Sequence, residues 1–377
     1  MSKVGIITFH NSYNCGSMMQ TYALQQYLKK KGIGNEIIDY YTLGQVELYS
    51  VFYSNNSVKN IVKNVLIFPF RKKIAKNNNK YIDFSEKYFV KSKRIEEYSE
   101  LYHTEYDIVI SGSDQVWNIT IPDVDDSYFL PWVSSSRKVA YAPSFGAKDI
   151  SKNAVDIEKY KNFLNGFDAI SIRENNGKKW IKDLINKDVE VLIDPTLLLK
   201  KEDYDKILDE SCTPQNDYIF FYCPDFNSGI CKFVKKISRK YKLPVIVWSA
   251  KSYYKKMIYR YGFKLPKYEN PAVYLSLIKN AKMIFTTSFH GAVFSTIYRK
   301  NFFVIKNGFM YSDDDRVKTL LENLGLMKRL IPYEYEKGFD YLKSVDYAEY
   351  ESRLEVLQRK ADDYIERNIG AFYGGEK

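Results

Sequence analysis

The residues of this chain best suited to chemistry are few and stand at similar places. Thr286-Thr287-Ser288-Phe289-His290-Gly291 lies between two apolar runs, so hydroxyls and an imidazole fall where a strand gives way to a helix. Such a turn makes an anion cradle with a proton donor. First-turn N–H groups and hydroxyls hold a phosphate, Gly291 allows close backbone approach, and His290 exchanges a proton near neutral pH. The chain has only three histidines, which makes His290 the first choice for a catalytic acid; the plain alternative is a structural histidine beside a strand. Arg173-Glu174 closes the run Ala169-Ile170-Ser171-Ile172. A guanidinium fork matches carboxylate and phosphate oxygens, so Arg173 reads as an anion clamp, or else as half of a surface pair with Glu174. The turn Ser111-Gly112-Ser113-Asp114-Gln115-Val116-Trp117 offers Asp114 as general base or hydroxyl acceptor and Trp117 as a stacking face for a sugar. A capping role for Asp114 competes. Asn11-Ser12-Tyr13-Asn14-Cys15-Gly16-Ser17 is a polar loop before a helix, and its Asn14, Gly16 and Ser17 suit a polyhydroxyl ligand.

Signatures of other chemistries are missing. There is no G-x-x-x-x-G-K-[ST], no G-x-S-x-G and no H-E-x-x-H, and the Asn11 to Ser17 loop lacks the spacing of G-x-G-x-x-G. Cys15, Cys212, Cys223 and Cys231 stand 197, 11 and 8 residues apart. That is neither a disulfide framework nor a zinc knuckle, so no metal centre is expected.

Parallel strands are what would position these turns. Val4 to Phe9, Glu36 to Tyr40, Tyr106 to Ile110, Lys138 to Ala142, Ala169 to Ile172 and Val189 to Ile193 are short apolar runs without alternation, the pattern of strands covered on both faces. Helical spacing fills Ser17 to Lys31, 155–165 and 176–185 between them. The order restarts at Tyr218 to Cys223 and continues through helix 228–241, strand Val245 to Trp248, helix 271–280, strand Met283 to Thr287, helix 290–299 and strand Phe302 to Ile305. The spacing predicts an α/β protein of two Rossmann-like domains with parallel sheets facing a cleft. The first covers residues 1–200, with a basic helical insertion at about 42–100; the second covers 201–344; a helix follows at 345–377. Ligands of open parallel sheets bind where strands end and helices begin, which is where the turns above lie.

The formal charge of +11 is concentrated. Eleven Lys or Arg stand between Val58 and Arg94 against Asp83 and Glu86, around the apolar patch Val65 to Phe70. Cationic and apolar character side by side suits peripheral contact of residues 58–94 with an anionic membrane or a lipid-linked substrate; a solvated lysine-rich helix is the competing reading. No recognised motif accompanies the charge, so nucleic acid is not an expected partner. The run Val4 to Phe9 is too short for a signal peptide, and no stretch approaches the ~18 to 20 apolar residues of a membrane span. A cytoplasmic location is expected.

Taken together, Gly5-Ile6-Ile7-Thr8, Asn14 to Ser17, Thr21-Tyr22-Ala23-Leu24-Gln25, the Ser111 to Trp117 turn, Ser171-Ile172-Arg173-Glu174, Asp194-Pro195 and Ser288-Phe289-His290-Gly291 resemble the polysaccharide pyruvyl transferase family over about residues 4–310. The resemblance implies a fold like that of two-domain GT-B glycosyltransferases. It implies phosphoenolpyruvate as co-substrate with no cofactor, and a glycan acceptor from a cell-surface polysaccharide precursor, often lipid-linked. Pyruvate would form a cyclic ketal across two sugar hydroxyls. By the same resemblance His290 matches the active-site histidine, Arg173 the donor-binding arginine and Asp114 a carboxylate near the acceptor, with Ser288 and Gly291 on the donor side. Several relatives carry an arginine where this chain has Ser288. Either Lys282, Arg299 or Arg316 then supplies that charge, or the donor differs. The alternatives are a metal-independent GT-B glycosyltransferase using a nucleotide sugar and a non-catalytic glycan-binding relative.

Overall fold

Every residue of the segments Val4–Ile7 and Ile108–Ser111 is buried, as apolar runs without alternation require of strands sandwiched between helices. They form the centre of the first of two parallel sheets in a computed structural model that describes residues 3–224, 226–306 and 315–373. This sheet contains β1 (Val4–Ile7), β2 (Asn35–Ile37), β3 (Ile108–Ser111), β4 (Arg137–Ala140), β5 (Ala169–Ile172) and β6 (Glu190–Val191), in the order β2-β1-β3-β4-β5-β6. The second contains β7 (Ile219–Tyr222), β8 (Val245–Val247), β9 (Met283–Thr286), β10 (Phe302–Ile305) and β11 (Leu330–Ile331), in the order β11-β10-β9-β7-β8. Strand order reverses between β1 and β3 in one lobe and between β7 and β9 in the other. At such a reversal the neighbouring helices depart to opposite faces and leave a crevice beyond the strand ends. The turns singled out above, Asn11 to Ser17, Ser111 to Trp117 and Thr286 to Gly291, follow β1, β3 and β9.

The lobes are joined by apolar packing. Helix α1 (Cys15–Lys30) buries Met18, Met19, Tyr22 and Leu24 in a cluster that also takes Val273 and Leu277 from helix Pro271–Asn280 and Val293 and Phe294 from helix Phe289–Ile297. The terminal helix Tyr350–Ile365 then returns to the first lobe. Gln358 Nε2 donates to the Leu197 carbonyl at 2.6 Å and Tyr364 Oη to the Ala140 carbonyl at 3.0 Å. Two parallel-sheet domains, their strand ends turned toward a shared cleft, with a last helix crossing back, make the arrangement GT-B-like.

Elements differ from expectation where tertiary contacts decide. The run Val189 to Ile193 keeps only two residues of strand, and helix Arg316–Asn323 and β11 were not foreseen. The basic insertion forms α2 (Leu43–Tyr49), α3 (Val58–Ile67) and α4 (Arg71–Tyr88). It is not simply a solvated helix, because it straps onto the second lobe. Lys73 Nζ donates to the Pro266 carbonyl at 2.7 Å, Asn77 Nδ2 to Glu269 Oε2 at 3.0 Å, and Lys251 Nζ to the Ser50 carbonyl at 2.6 Å. Phe70 stacks on Tyr254 with ring centroids 3.7 Å apart. Among the described residues no disulfide joins two cysteines, and no group of three or more His, Cys, Asp or Glu is placed to hold a metal ion. No helix of the described residues is long and apolar enough to cross a membrane.

Candidate active site

The reversals in the two sheets face each other across a cleft of about 260 Å³. Its walls include Asn14, Ser17, Asp114, Arg173, Ser288 and His290, six of the nine residues singled out from the sequence. Three elements of the first lobe and one of the second therefore converge.

The second lobe contributes its helix Phe289–Ile297. Ser288 is the N-cap, and its Oγ accepts from the Gly291 amide at 3.3 Å. The cap directs the first turn of the helix, with its N–H groups outside the helical ladder, at the cleft. His290 is buried, and its Nε2 lies 3.2 Å from Asp194 Oδ2, a carboxylate of the first lobe. Its Nδ1 faces the start of α1: a β-carbon at Gly16 would fall 2.2 Å from it. Gly16 is therefore buried against the imidazole and does not line the cleft as an acceptor contact. Glycine is needed there because any side chain would displace the ring. Gly291 also departs from expectation. A β-carbon there would lie 2.3 Å from Thr286 Oγ1, so this glycine lets the helix close on β9 and offers no surface to a donor.

Arg173 lies at the end of β5 with only 4% of its surface exposed. Its Nη1 donates to Asp194 Oδ2 at 2.6 Å, its Nη2 is 3.6 Å from Asp114 Oδ1, and its guanidinium lies 4.4 Å from the centre of the Phe289 ring. The surface-pair reading with Glu174 does not hold, because Glu174 turns inward and accepts from Ser144 Oγ at 3.0 Å and the Phe145 amide at 2.8 Å. Asp194 is the joint of the assembly. Burial alone would raise its carboxyl, but His290, its hydrogen bond and Arg173 override that and hold it well below the usual carboxylate range. Asp194 also accepts from the amide and hydroxyl of Thr196, which fixes its orientation.

Asp114 adopts a left-handed backbone (φ 70°), uncommon outside glycine and found where the surroundings dictate the conformation. Its Oδ2 accepts from Ser17 Oγ at 2.5 Å and its Oδ1 from the Gln115 amide at 2.8 Å, so it ties the first-lobe loops together across the β1–β3 crevice. Trp117 does not join it in the cleft. The indole is fully buried, its N–H donates to the Tyr128 carbonyl at 3.2 Å, and its ring stacks on Phe129. It is a core residue and cannot stack on a sugar. Of the cations named as replacements for an arginine at position 288, Lys282 pairs with Asp217 and Arg299 with Glu351, both outside the cleft, whereas Arg316 lines it.

Sequence reasoning missed Asp123, Tyr49 and Tyr222, which also line the cleft. Burial, with help from Asp114, pushes the Asp123 carboxyl up. Nothing in the local sequence marks these residues. They arrive on a long loop, on the insertion and at a strand tip.

An arginine, a carboxylate and an imidazole lining one cleft, with the buried Asp194 pairing two of them from behind, suit an anionic small molecule and acid–base chemistry on it. The description "Polysaccharide pyruvyl transferase" belongs to a family model that matches residues 14–308. The chain belongs to the polysaccharide pyruvyl transferase family, and so to transferases of polysaccharide biosynthesis. No curated protein matches it in sequence. Among solved structures it is similar to UDP-N-acetylglucosamine 2-epimerase from Rickettsia bellii, at 12% identity over 98% of this chain and 99% of that one, with a TM-score of 0.49. It is likewise similar to the enzyme from Neisseria meningitidis bound to UDP-GlcNAc, at 10% identity over 99% and 97%, with a TM-score of 0.48. At these values the epimerases lend nothing to the assignment of chemistry.

Proposed function

We propose that this chain transfers the pyruvyl group of phosphoenolpyruvate to a sugar of a cell-surface polysaccharide precursor, forming a cyclic ketal. The observation that carries the reading is that Asp114, Arg173 and His290 line the interlobe cleft while the buried Asp194 joins Arg173 to His290 behind them. Arg173 and Arg316 face the donor's carboxylate and phosphate, and the capped helix terminus at Ser288 receives the departing phosphate. His290 turns from its pairing with Asp194 Oδ2, so that its Nε2–H protonates the donor methylene carbon and leaves an oxocarbenium-like centre. A sugar hydroxyl attacks that centre and passes its proton to a cleft carboxylate, Asp114 or Asp123, from which His290 is reprotonated. Loss of phosphate by C–O cleavage regenerates the electrophile. The second hydroxyl closes the ring and its proton leaves with the phosphate, so the products are the ketal and hydrogen phosphate.

Donor-dependent phosphate release tests the reading. His290→Ala abolishes ketal formation while phosphoenolpyruvate still binds, and Arg173→Ala raises the donor KM about tenfold or more. Near-native transfer by His290→Ala overturns the acid assignment. Protection from thermal unfolding by phosphoenolpyruvate but not by nucleotide sugars separates this reaction from glycosyl transfer.

The surface of the insertion supports contact with an anionic membrane. Val58, Ile61, Val62 and Val65 recur at helical spacing along α3 and are exposed, Val58 by 77% and Val65 by 67%, and Phe68 extends the stripe. Lys59 on the same helix and Lys72 and Lys76 on α4 are also exposed. An apolar stripe bordered by cations lies flat on anionic lipid, which would bring the cleft to a lipid-linked acceptor.

A further inference from the structure

A second chamber, of about 340 Å³, opens beside the cleft and shares Asn14, Tyr49 and Tyr222 with it as common wall. Its far side is built by α4 and the second lobe, with Trp248, Lys251 and Glu269 among its lining. No step of the proposed reaction uses it, yet it holds a group that needs a partner. Glu269 is 5% exposed; its Oε2 accepts from Asn77 Nδ2 at 3.0 Å and the Ala250 amide at 3.1 Å, while its Oε1 has no hydrogen-bond partner among the described residues. A buried carboxylate oxygen left unmatched is unfavourable unless a ligand or water supplies a donor. Burial pushes this carboxyl up to about 7, against the lowering by the Ala250 and Ser249 amides, Lys73 and Asn77.

The rest of the chamber defines the donor it would take. Aromatic rings offer the apolar face that a pyranose presents on one side, and Asn77 and Asn78 line the wall with amides. At the rim Lys251 Nζ lies 4.1 Å from the centre of the Tyr53 ring and contacts the Ser50 and Leu48 carbonyls, with no carboxylate at ion-pair distance among the described residues. Its ammonium is lowered to about 8 by burial and by Lys255 and Lys63, a cost that a bound anion would relieve.

We propose that this chamber is the acceptor subsite and takes an anionic monosaccharide unit: Glu269 Oε1 accepts a sugar hydroxyl, Tyr222 and Trp248 wall the ring, and Lys251 faces its phosphate or carboxylate. The shared wall then leaves the next hydroxyls of the glycan facing Asp114 and His290. The inference rests on the pyruvyl-transfer reading, since only an acceptor needs a subsite beside the donor.

Trp248 reports occupancy. The chain has four tryptophans, so protein labelled with 5-fluorotryptophan gives four fluorine resonances, and Trp248→Phe assigns this one. It is titrated with the 1-phosphates of glucose, galactose, mannose and N-acetylglucosamine and with glucuronic and galacturonic acids, with inorganic phosphate as a separate arm. Phosphoenolpyruvate binding is followed by calorimetry. At least one anionic sugar shifts the Trp248 resonance saturably. Glu269→Gln, which keeps the packing but turns an acceptor into a donor, and Lys251→Met each weaken that binding about fivefold or more and leave phosphoenolpyruvate affinity unchanged. The subsite is overturned if no sugar of the panel moves the resonance, if both variants bind as tightly as the parent, or if inorganic phosphate reproduces the shift at the same affinity. Phosphoenolpyruvate binding without sugar binding sinks the subsite alone. Sugar binding without phosphoenolpyruvate binding sinks the donor reading alone.

Discussion

At the scale of residues, the cleft depends on Asp194 more than on any group that faces the ligand. It joins an imidazole of one lobe to a guanidinium of the other, so Asp194→Asn removes the charge that aligns both. We expect kcat to fall about 100-fold or more with the protein still folded by circular dichroism. A variant with parent-like kcat would show that the pairing is only structural. Gly16→Ala pushes the His290 ring aside and lowers kcat more than donor affinity; equal effects on both would argue against a specific displacement. The buried carboxyls set a pH dependence. Burial outweighs Arg173 and Arg316 and pushes Glu174 up to about 7, and Glu269 is also pushed up to about 7. The folded state then holds protons that the unfolded chain releases near its ordinary value of 4.5. Stability is full below that value and declines as pH rises to about 7, by roughly 3 kcal/mol for each group. The melting temperature should therefore fall between pH 5 and 8, and Glu174→Gln should flatten the slope; an unchanged slope contradicts this assignment. Asp194, held low, acts oppositely and contributes at every pH above the ordinary carboxylate range.

At the scale of elements, strands and their tips were legible in the sequence. Strand Ala169–Ile172 and helices Ser228–Tyr241 and Pro271–Asn280 lie where periodicity places them, and Asp114, Arg173 and His290 were found because polar types end apolar runs. Trp117 was misplaced for a local reason. Its turn reads the same whether the indole points to solvent or inward, and the carbonyl that receives its N–H belongs to Tyr128, eleven residues on. Asp123, Tyr49 and Glu269 were illegible because their neighbours are distant in sequence; Asn77 and Glu269 meet across 192 residues. The insertion combines both cases. Its charge was plain, but its attachment to the second lobe was not. The outer face of α3 gives its own prediction: the protein cosediments with vesicles of anionic lipid at low salt, less so at high salt, and Val65→Asp weakens the association. Equal sedimentation with neutral vesicles would remove the electrostatic part of this reading.

At the scale of the whole molecule, the two lobes touch through α1, through the strap of the insertion and through the terminal helix. The polypeptide crosses from one lobe to the other after β6 and crosses back ahead of helix Tyr350–Ile365. Two crossings remove freedoms that a single tether would leave. With the strap of the insertion as a third tether and one apolar core running through both lobes, His290 of one lobe and Asp194 of the other are held in a single register, as a keystone is held by the stones on either side.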